Sequence, residues 1–310
     1  IPNLDNLSNQ ILEKSKLGGS IRGIPQTDLK GGNATNVAYA LAKLGCPVSL
    51  VTIADKTGSQ ILKEAFSEFD KVSLFIIDGK PGRTTSLEFN NAGNIVNVMI
   101  SDLGDNENFG PERLGADEQN AIAHADAIIV TNWASNKKGT QLSQFVFSKS
   151  PSSFHFLDPA DVQTRSEEFK EMLPKLAEHL DSLCINENEC NILLTQSGLG
   201  TISGEKETRK LVLELAQRYL IPIDLHTSRG SYWSNGQKVE FAKSFQVTPK
   251  FVTGAGDVWD AANLLGYLVD LDASERLGFA NGAAALYVSS PLGVPPTMDE
   301  VLSFVKANSP

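Results

Sequence analysis

The sequence predicts an α/β fold: a mostly parallel sheet covered by helices on both faces. From Gly32 onward, short runs rich in β-branched and aromatic residues alternate with longer segments of helical period, and glycine or proline stands at many of the joints. The short runs are nearly continuous in apolar residues, which is the pattern of strands buried on both sides. One segment breaks the alternation and reads as a hairpin, which adds a small antiparallel piece.

Taken in order, "KGGNATNVAYALAKLG" (30–45) places Gly31 and Gly32 before a helix. Its apolar face is Val37, Ala38, Leu41 and Leu44 and it ends at Gly45, with Asn33 placed as N-cap and Asn36 in the first turn. This is either a capped helix after a tight turn, or two amides aimed at ligand hydroxyls from a backbone that glycine lets come close. "CPVSLVTIA" (46–54) reads as a strand, "GSQILKEAFSEF" (58–69) as a helix and "VSLFII" (72–77) as a strand. In "TTSLEFNNAGNIVNVMIS" (84–101) two strand-like runs flank "NNAG", whose residues tolerate positive φ, so the segment is expected to be a hairpin that leaves the main sheet as a lid. An exposed apolar face on it, carrying Leu87, Phe89 and Val98, would favour a homodimer.

"DAIIVTN" (126–132), "SFHFLDP" (153–159), "DSLCIN" (181–186) and "IPIDLHT" (221–227) continue the strand series, each after a helix-like segment. Ligands of such sheets bind outside the carboxyl ends of the strands. "INENEC" (185–190) sets Asn186 at a strand end with Glu189 three residues on, which is the spacing of a capping box and also suits a carboxylate holding hydrated Mg²⁺ near phosphates. "YWSNGQKVEFA" (232–242) is a second hairpin, turning at Asn235 and Gly236, and from Gly256 the chain is helical with a break near "PLGVPP" (291–296). Before that helix, "VTGAGD" brings Gly254, Ala255, Gly256 and Asp257 together where unpaired N–H groups and the positive end of the helix dipole make an anion site. A glycine turn with one dipole-complementing carboxylate is the plain alternative.

Composition narrows the function. A chain of 310 residues with 41% hydrophobic and 21% charged residues has room for a large core, and one domain over 1–310 is expected. The net charge of -10 and the absence of basic runs exclude the electrostatic footprint of nucleic-acid binding. Neither a signal peptide nor a long apolar span is found, so a cytoplasmic protein is expected. Cys46, Cys184 and Cys190 show no CxxC spacing and read as reduced core thiols, and the scattered His124, His155, His179 and His226 form no HExxH pair. No GxxxxGK[ST] occurs, and no GxGxxG opens an early helix, so the P-loop and the dinucleotide fingerprint are both missing.

Together and in this order, "GGNATNVAYALAKLG", "NENE" and "VTGAGDVWDAA" resemble the ribokinase-like, or PfkB-type, carbohydrate kinases from about Gly31 to the C-terminus. The resemblance implies a three-layer α/β/α sandwich with a small β lid, and ATP- and Mg²⁺-dependent phosphorylation of an alcohol on a sugar or nucleoside. It implies Asp257 as catalytic base, Gly254, Ala255 and Gly256 as the anion hole, and Gly31, Gly32, Asn33 and Asn36 as substrate ligands. Asn186 and Glu189 match the phosphate and magnesium motif, Glu189 acting through water. Thr227, Gly230 and Asn281 are the nucleotide-side equivalents. Phe251 and Val252 stand where members carry an Asp-Thr pair, and the Thr-x-Gly turn is replaced around "LHTSRG". Members begin with a substrate-gripping strand, and "IPNLDNLSNQ" reads as the segment after such a strand, so the natural gene product is expected to extend upstream of Ile1 by one strand. The alternative function is a non-catalytic sugar or nucleotide sensor on the same fold. A dehydrogenase is a distant third.

Overall fold

The computed structural model describes residues 4–26, 31–91 and 94–308, with side chains throughout these except at 90–97. The elements are α1 (Leu4–Leu17), α2 (Asn33–Lys43), β1 (Val48–Ala54), α3 (Lys56–Phe66), β2 (Val72–Asp78), β3 (Arg83–Asn91), β4 (Asn94–Asp102), α4 (Ala116–Ala123), β5 (Ala127–Thr131), α5 (Gly139–Lys149) and β6 (Phe154–Asp158). They continue with α6 (Ser166–Leu176), β7 (Ser182–Asn186), α7 (Glu187–Gln196), α8 (Glu205–Tyr219), β8 (Ile223–Thr227), β9 (Gly230–Ser234), β10 (Val239–Lys243), α9 (Ala255–Leu268), α10 (Ala273–Ser289) and α11 (Met298–Asn308).

The main sheet runs β10-β9-β8-β7-β6-β5. It is parallel from β5 to β8 and becomes antiparallel through β9 and β10. β1 and β2 form a separate parallel pair, and β3 with β4 a separate antiparallel hairpin. Ala92 and Gly93 of the expected "NNAG" turn lie outside the described residues.

Side-chain alternation along the strands sorts the molecule into layers, because successive residues of a strand face opposite sides. Ile128, Val130, Leu157, Leu183 and Ile185 enter one core, together with Phe169, Leu173 and Leu193 of the helices on that side. Phe156, Cys184 and Ala127 face the other, against Leu41 of α2, Ala262 of α9 and Ala280 of α10. Strands apolar at every position are therefore strands that serve two cores, and the α/β/α sandwich is the result.

Two local expectations are corrected. Asn33 is not the N-cap of α2: Gly32 takes that place at φ 97°, which releases the Asn33 side chain from capping. Of the three residues expected on an exposed apolar face of the hairpin, Phe89 is 3% exposed and faces inward, Leu87 is half-buried and Val98 is open to solvent, as are the neighbouring Met99 and Ile100.

Candidate active site

One wide cleft is bordered by β1 and β5, the α2 start, the carboxyl ends of β6, β7 and β8, and the α9 start. Its chemistry is concentrated where α9 begins. Gly254 adopts the left-handed conformation at φ 87°, and no side chain caps the helix. A Cβ at this position would stand 2.8 Å from the Tyr287 hydroxyl, which itself donates to the Thr253 carbonyl at 2.7 Å. Only glycine meets both conditions. The Ala255 N–H closes the preceding turn on the Val252 carbonyl, but no backbone acceptor among the described residues takes the amides of Gly254, Gly256 or Asp257. An uncapped helix start beside open space attracts an anion through these amides and the dipole.

Asp257 lies in the first turn of α9 and is 7% exposed. Burial is the main cause that pushes its carboxyl up to about 8; the Asp158 charge adds to the rise and an Asn36 hydrogen bond opposes it. That bond runs from Asn36 Nδ2 to Asp257 Oδ2 at 2.7 Å. It joins the glycine-led start of α2 to the glycine-led start of α9, two motifs far apart in sequence. Asn33, freed from capping, lies near enough to Asp158 at the end of β6 to favour its charged form, against the larger effect of burial. Asp158 also lies close to Asp260, one turn beyond Asp257, and its charge helps to raise the Asp260 carboxyl. Burial raises both carboxyls.

On the opposite wall, Asn186 caps α7 by accepting from the Asn188 and Glu189 amides, and Glu189 Oε2 accepts the Asn186 N–H at 2.9 Å. The capping box is real, yet both side chains also line the cleft. Burial and the Asp158 charge hold the Glu189 carboxyl well above the usual carboxylate range, with Asp161 adding to the effect. A wall of carboxylate oxygens is the donor set of a hard cation that keeps several waters, so magnesium fits.

Gly31, Gly32, Asn33, Asn36, Gly254, Gly256, Asp257, Asn186 and Glu189 are thus gathered on one cleft. Thr227, Gly230 and Asn281 are not among its lining residues. Thr227 Oγ1 donates to the Gly230 carbonyl and accepts from the Arg229 and Gly230 amides. A Cβ on Gly230 would meet the Ala242 carbonyl at 2.5 Å. Asn281 spends its amide on Ala242 and Lys243 carbonyls and its oxygen on Ser231 and Trp259. Sequence reading missed Asp158, Asp260, His226 and Tyr287. For Asp158 the signal was present, a carboxylate closing a parallel strand; the other three carry no local pattern. The hairpin reaches the site as well, Thr253 Oγ1 donating to Glu88 at 3.1 Å.

The chain has counterparts among known proteins. The ribokinase of Bacillus subtilis (strain 168) is 26% identical over 295 residues, covering 93% of this chain and 92% of its own. The structure of Arabidopsis thaliana ribokinase complexed with ribose and ATP superposes with a TM-score of 0.72 at 21% identity, over 93% of this chain and 91% of that one. A putative ribokinase II from E. coli in complex with ATP and Mg²⁺ gives 0.66 at 17% identity, over 94% and 95%. Residues 19–299 match the profile of the pfkB family carbohydrate kinases. The chain therefore belongs to that family, and is a phosphotransferase whose acceptor is a sugar hydroxyl.

Proposed function

We propose that this protein transfers the γ-phosphoryl group of ATP, with Mg²⁺, to a hydroxyl of a small sugar or nucleoside. The observation that carries the reading is the Asn36–Asp257 hydrogen bond beside the bare start of α9. It ties a buried carboxyl to an amide from the start of α2 beside an uncapped helix start, which supports a base and an anion site at one place. In this reading Asp257 takes the proton of the attacking hydroxyl, and Asn36 orients the carboxylate that receives it. Gly31, Gly32 and Asn33 border the acceptor. The Gly254 and Gly256 amides stabilise charge developing on the transferred group, and Ala255 maintains the turn. Glu189 would hold Mg²⁺ through water, with Asn186 aiming its carboxylate, and the ion would neutralise phosphate charge there. The hairpin β3–β4 acts as a lid that excludes water, tied to the catalytic turn through Glu88 and Thr253, and its exposed Val98, Met99 and Ile100 are the surface for homodimer pairing.

The test is a panel of pentoses, hexoses and nucleosides assayed for ATP-dependent ADP release with Mg²⁺ present. At least one acceptor should release ADP in proportion to phosphorylated product. A protein that binds members of the panel but releases no ADP with any of them is the sensor.

A further inference from the structure

Behind the catalytic turn lies a second group of chemically active side chains that the phosphoryl-transfer reading does not use. Cys184 of β7, His226 of β8 and Asp260 of α9 bring a sulfur, an imidazole nitrogen and a carboxylate oxygen to within 4.8 Å of one another. Cys184 and Asp260 are each 1% exposed, whereas His226 lines the cleft and gives the group a way in. The imidazole packs under the catalytic turn, its Cε1 lying 3.4 Å from where a Cβ on Gly256 would be.

We propose that Cys184, His226 and Asp260 form a binding site for a thiophilic divalent cation of the zinc class, distinct from the oxygen-lined magnesium wall at Glu189. Sulfur, nitrogen and carboxylate oxygen are the ligand types zinc takes, usually in tetrahedral geometry with donors about 3.3–3.8 Å apart. The Cys184–Asp260 edge is already short, the thiol donating to Oδ1 at 2.9 Å. His226 has to approach by only about 1 Å to complete a tetrahedral set. Neither of its ring nitrogens has a hydrogen-bond partner among the described residues, so nothing polar resists that movement; its ring packs against Trp259, at 5.2 Å between centroids. Charge favours the ion too. Thiolate, carboxylate and neutral imidazole around a dication sum to zero, so the buried cluster carries no net charge once the thiol proton has left to solvent. The fourth position faces the cleft and takes water. No sequence motif announces the site, because its ligands come from two neighbouring strands and the helix laid across them.

Cobalt(II) titration of the full chain reads the site directly, since tetrahedral thiolate-bound Co²⁺ has a near-ultraviolet charge-transfer band and strong visible d–d bands. One equivalent should produce both, an excess of Mg²⁺ should leave them in place, and one equivalent of Zn²⁺ should bleach them. Cys184→Ser, which keeps size and a donor toward Asp260, should abolish the charge-transfer band, while Cys46→Ser and Cys190→Ser should retain it. His226→Gln, at the open edge of the group, gives a second variant with less demand on packing and should weaken Co²⁺ binding at least tenfold. Zn²⁺ should raise the melting temperature of the parent chain but not of Cys184→Ser. Weak octahedral absorption alone, displacement by Mg²⁺, or a band that survives Cys184→Ser and disappears with another cysteine overturns the proposal.

Discussion

Helices α7 and α9 begin alike and end up as different devices. Each carries an acidic residue in its first turn and opens onto the same cleft. In α7 the Asn186 side chain takes two amides and Glu189 returns the bond, so the helix start is closed on itself. In α9 the cap is a glycine with no side chain to offer, the amides of Gly254, Gly256 and Asp257 find no backbone acceptor among the described residues, and the carboxylate is held by Asn36 from another helix. A closed start makes a stable helix, whereas an open one leaves its donors for a ligand. If this contrast is right, perturbing α9 should strike turnover and perturbing α7 should strike stability.

The largest expected effect is at Asp257. Asp257→Asn keeps the size and the partner of Asn36 but removes the base, and kcat should fall by about 10²- to 10⁴-fold. Rate and ligand affinity measured on the same preparation decide it: near-normal turnover would return Asp257 to the role of a dipole-complementing residue, as acidic residues are at most helix starts. Next comes Gly254→Ala. The added methyl group meets the Tyr287 hydroxyl and forces a left-handed residue away from glycine, so the turn must shift. The donors would miss the transferred group, costing about 10²-fold in kcat, with about 1–2 kcal/mol of stability lost to backbone strain. A variant that melts early yet turns over normally would show that the turn holds the fold and not the phosphoryl group.

What could be read from the sequence divides along the same line. The layered fold was legible because apolar strands and amphipathic helices each carry a period, and the strands of Val48–Ala54 and Ser182–Asn186 fall where their patterns put them. The two glycine-led helix starts were legible too, since glycine before a helical pattern is a local signal. The pairing of Asn36 with Asp257 was not, nor was the meeting of Asp158 with Asp260, because each depends on how α2, β6 and α9 pack. Asn281 carries no local signal of its own, and only the fold shows its amide bonded to the Ala242 and Lys243 carbonyls and its oxygen to Ser231 and Trp259.

Acidity gives a test of intermediate size. With the carboxyl of Asp257 pushed up to about 8, the base is mostly protonated at neutral pH in the free protein. The limiting slope of kcat/KM should therefore be about tenfold per pH unit below pH 8 and flatten above it. Stability runs the opposite way. A carboxyl whose folded value is raised from 3.8 binds more protons folded than unfolded, so its contribution is fully present below about pH 4 and is lost as pH rises toward 8. Asp257→Asn has no such group, so its melting temperature should gain on that of the parent between pH 5 and pH 8.5. Asp158, Asp260 and Glu189 tilt both proteins in the same direction, and because the Asp257 charge also raises Asp260, the difference between the two curves reads Asp257 together with its effect on that neighbour. Parallel curves would mean that Asp257 is ionised with ordinary acidity, and the open start of α9 would lose its buried base.

The smallest effect is expected at α7, and it bears on the closed half of the contrast. Asn186→Ala deletes the acceptor for the Asn188 and Glu189 amides, which should cost about 1 kcal/mol of stability. Serine caps nearly as well as asparagine, so Asn186→Ser should recover most of that loss, within a few tenths of a kcal/mol. Glu189 is aimed by the Asn186 backbone N–H, which both variants keep, so the loosened cap should raise the Mg²⁺ needed for half-maximal rate only modestly, alanine more than serine, and both should reach nearly the parent kcat when Mg²⁺ saturates. Urea melts and Mg²⁺ titrations of the rate on the three proteins read these quantities separately. Should alanine and serine lower the saturated kcat equally while differing in stability, the Asn186 amide would be touching the reacting phosphate itself. The start of α7 would then be a second open site, and cap closure would no longer distinguish a structural helix start from a catalytic one.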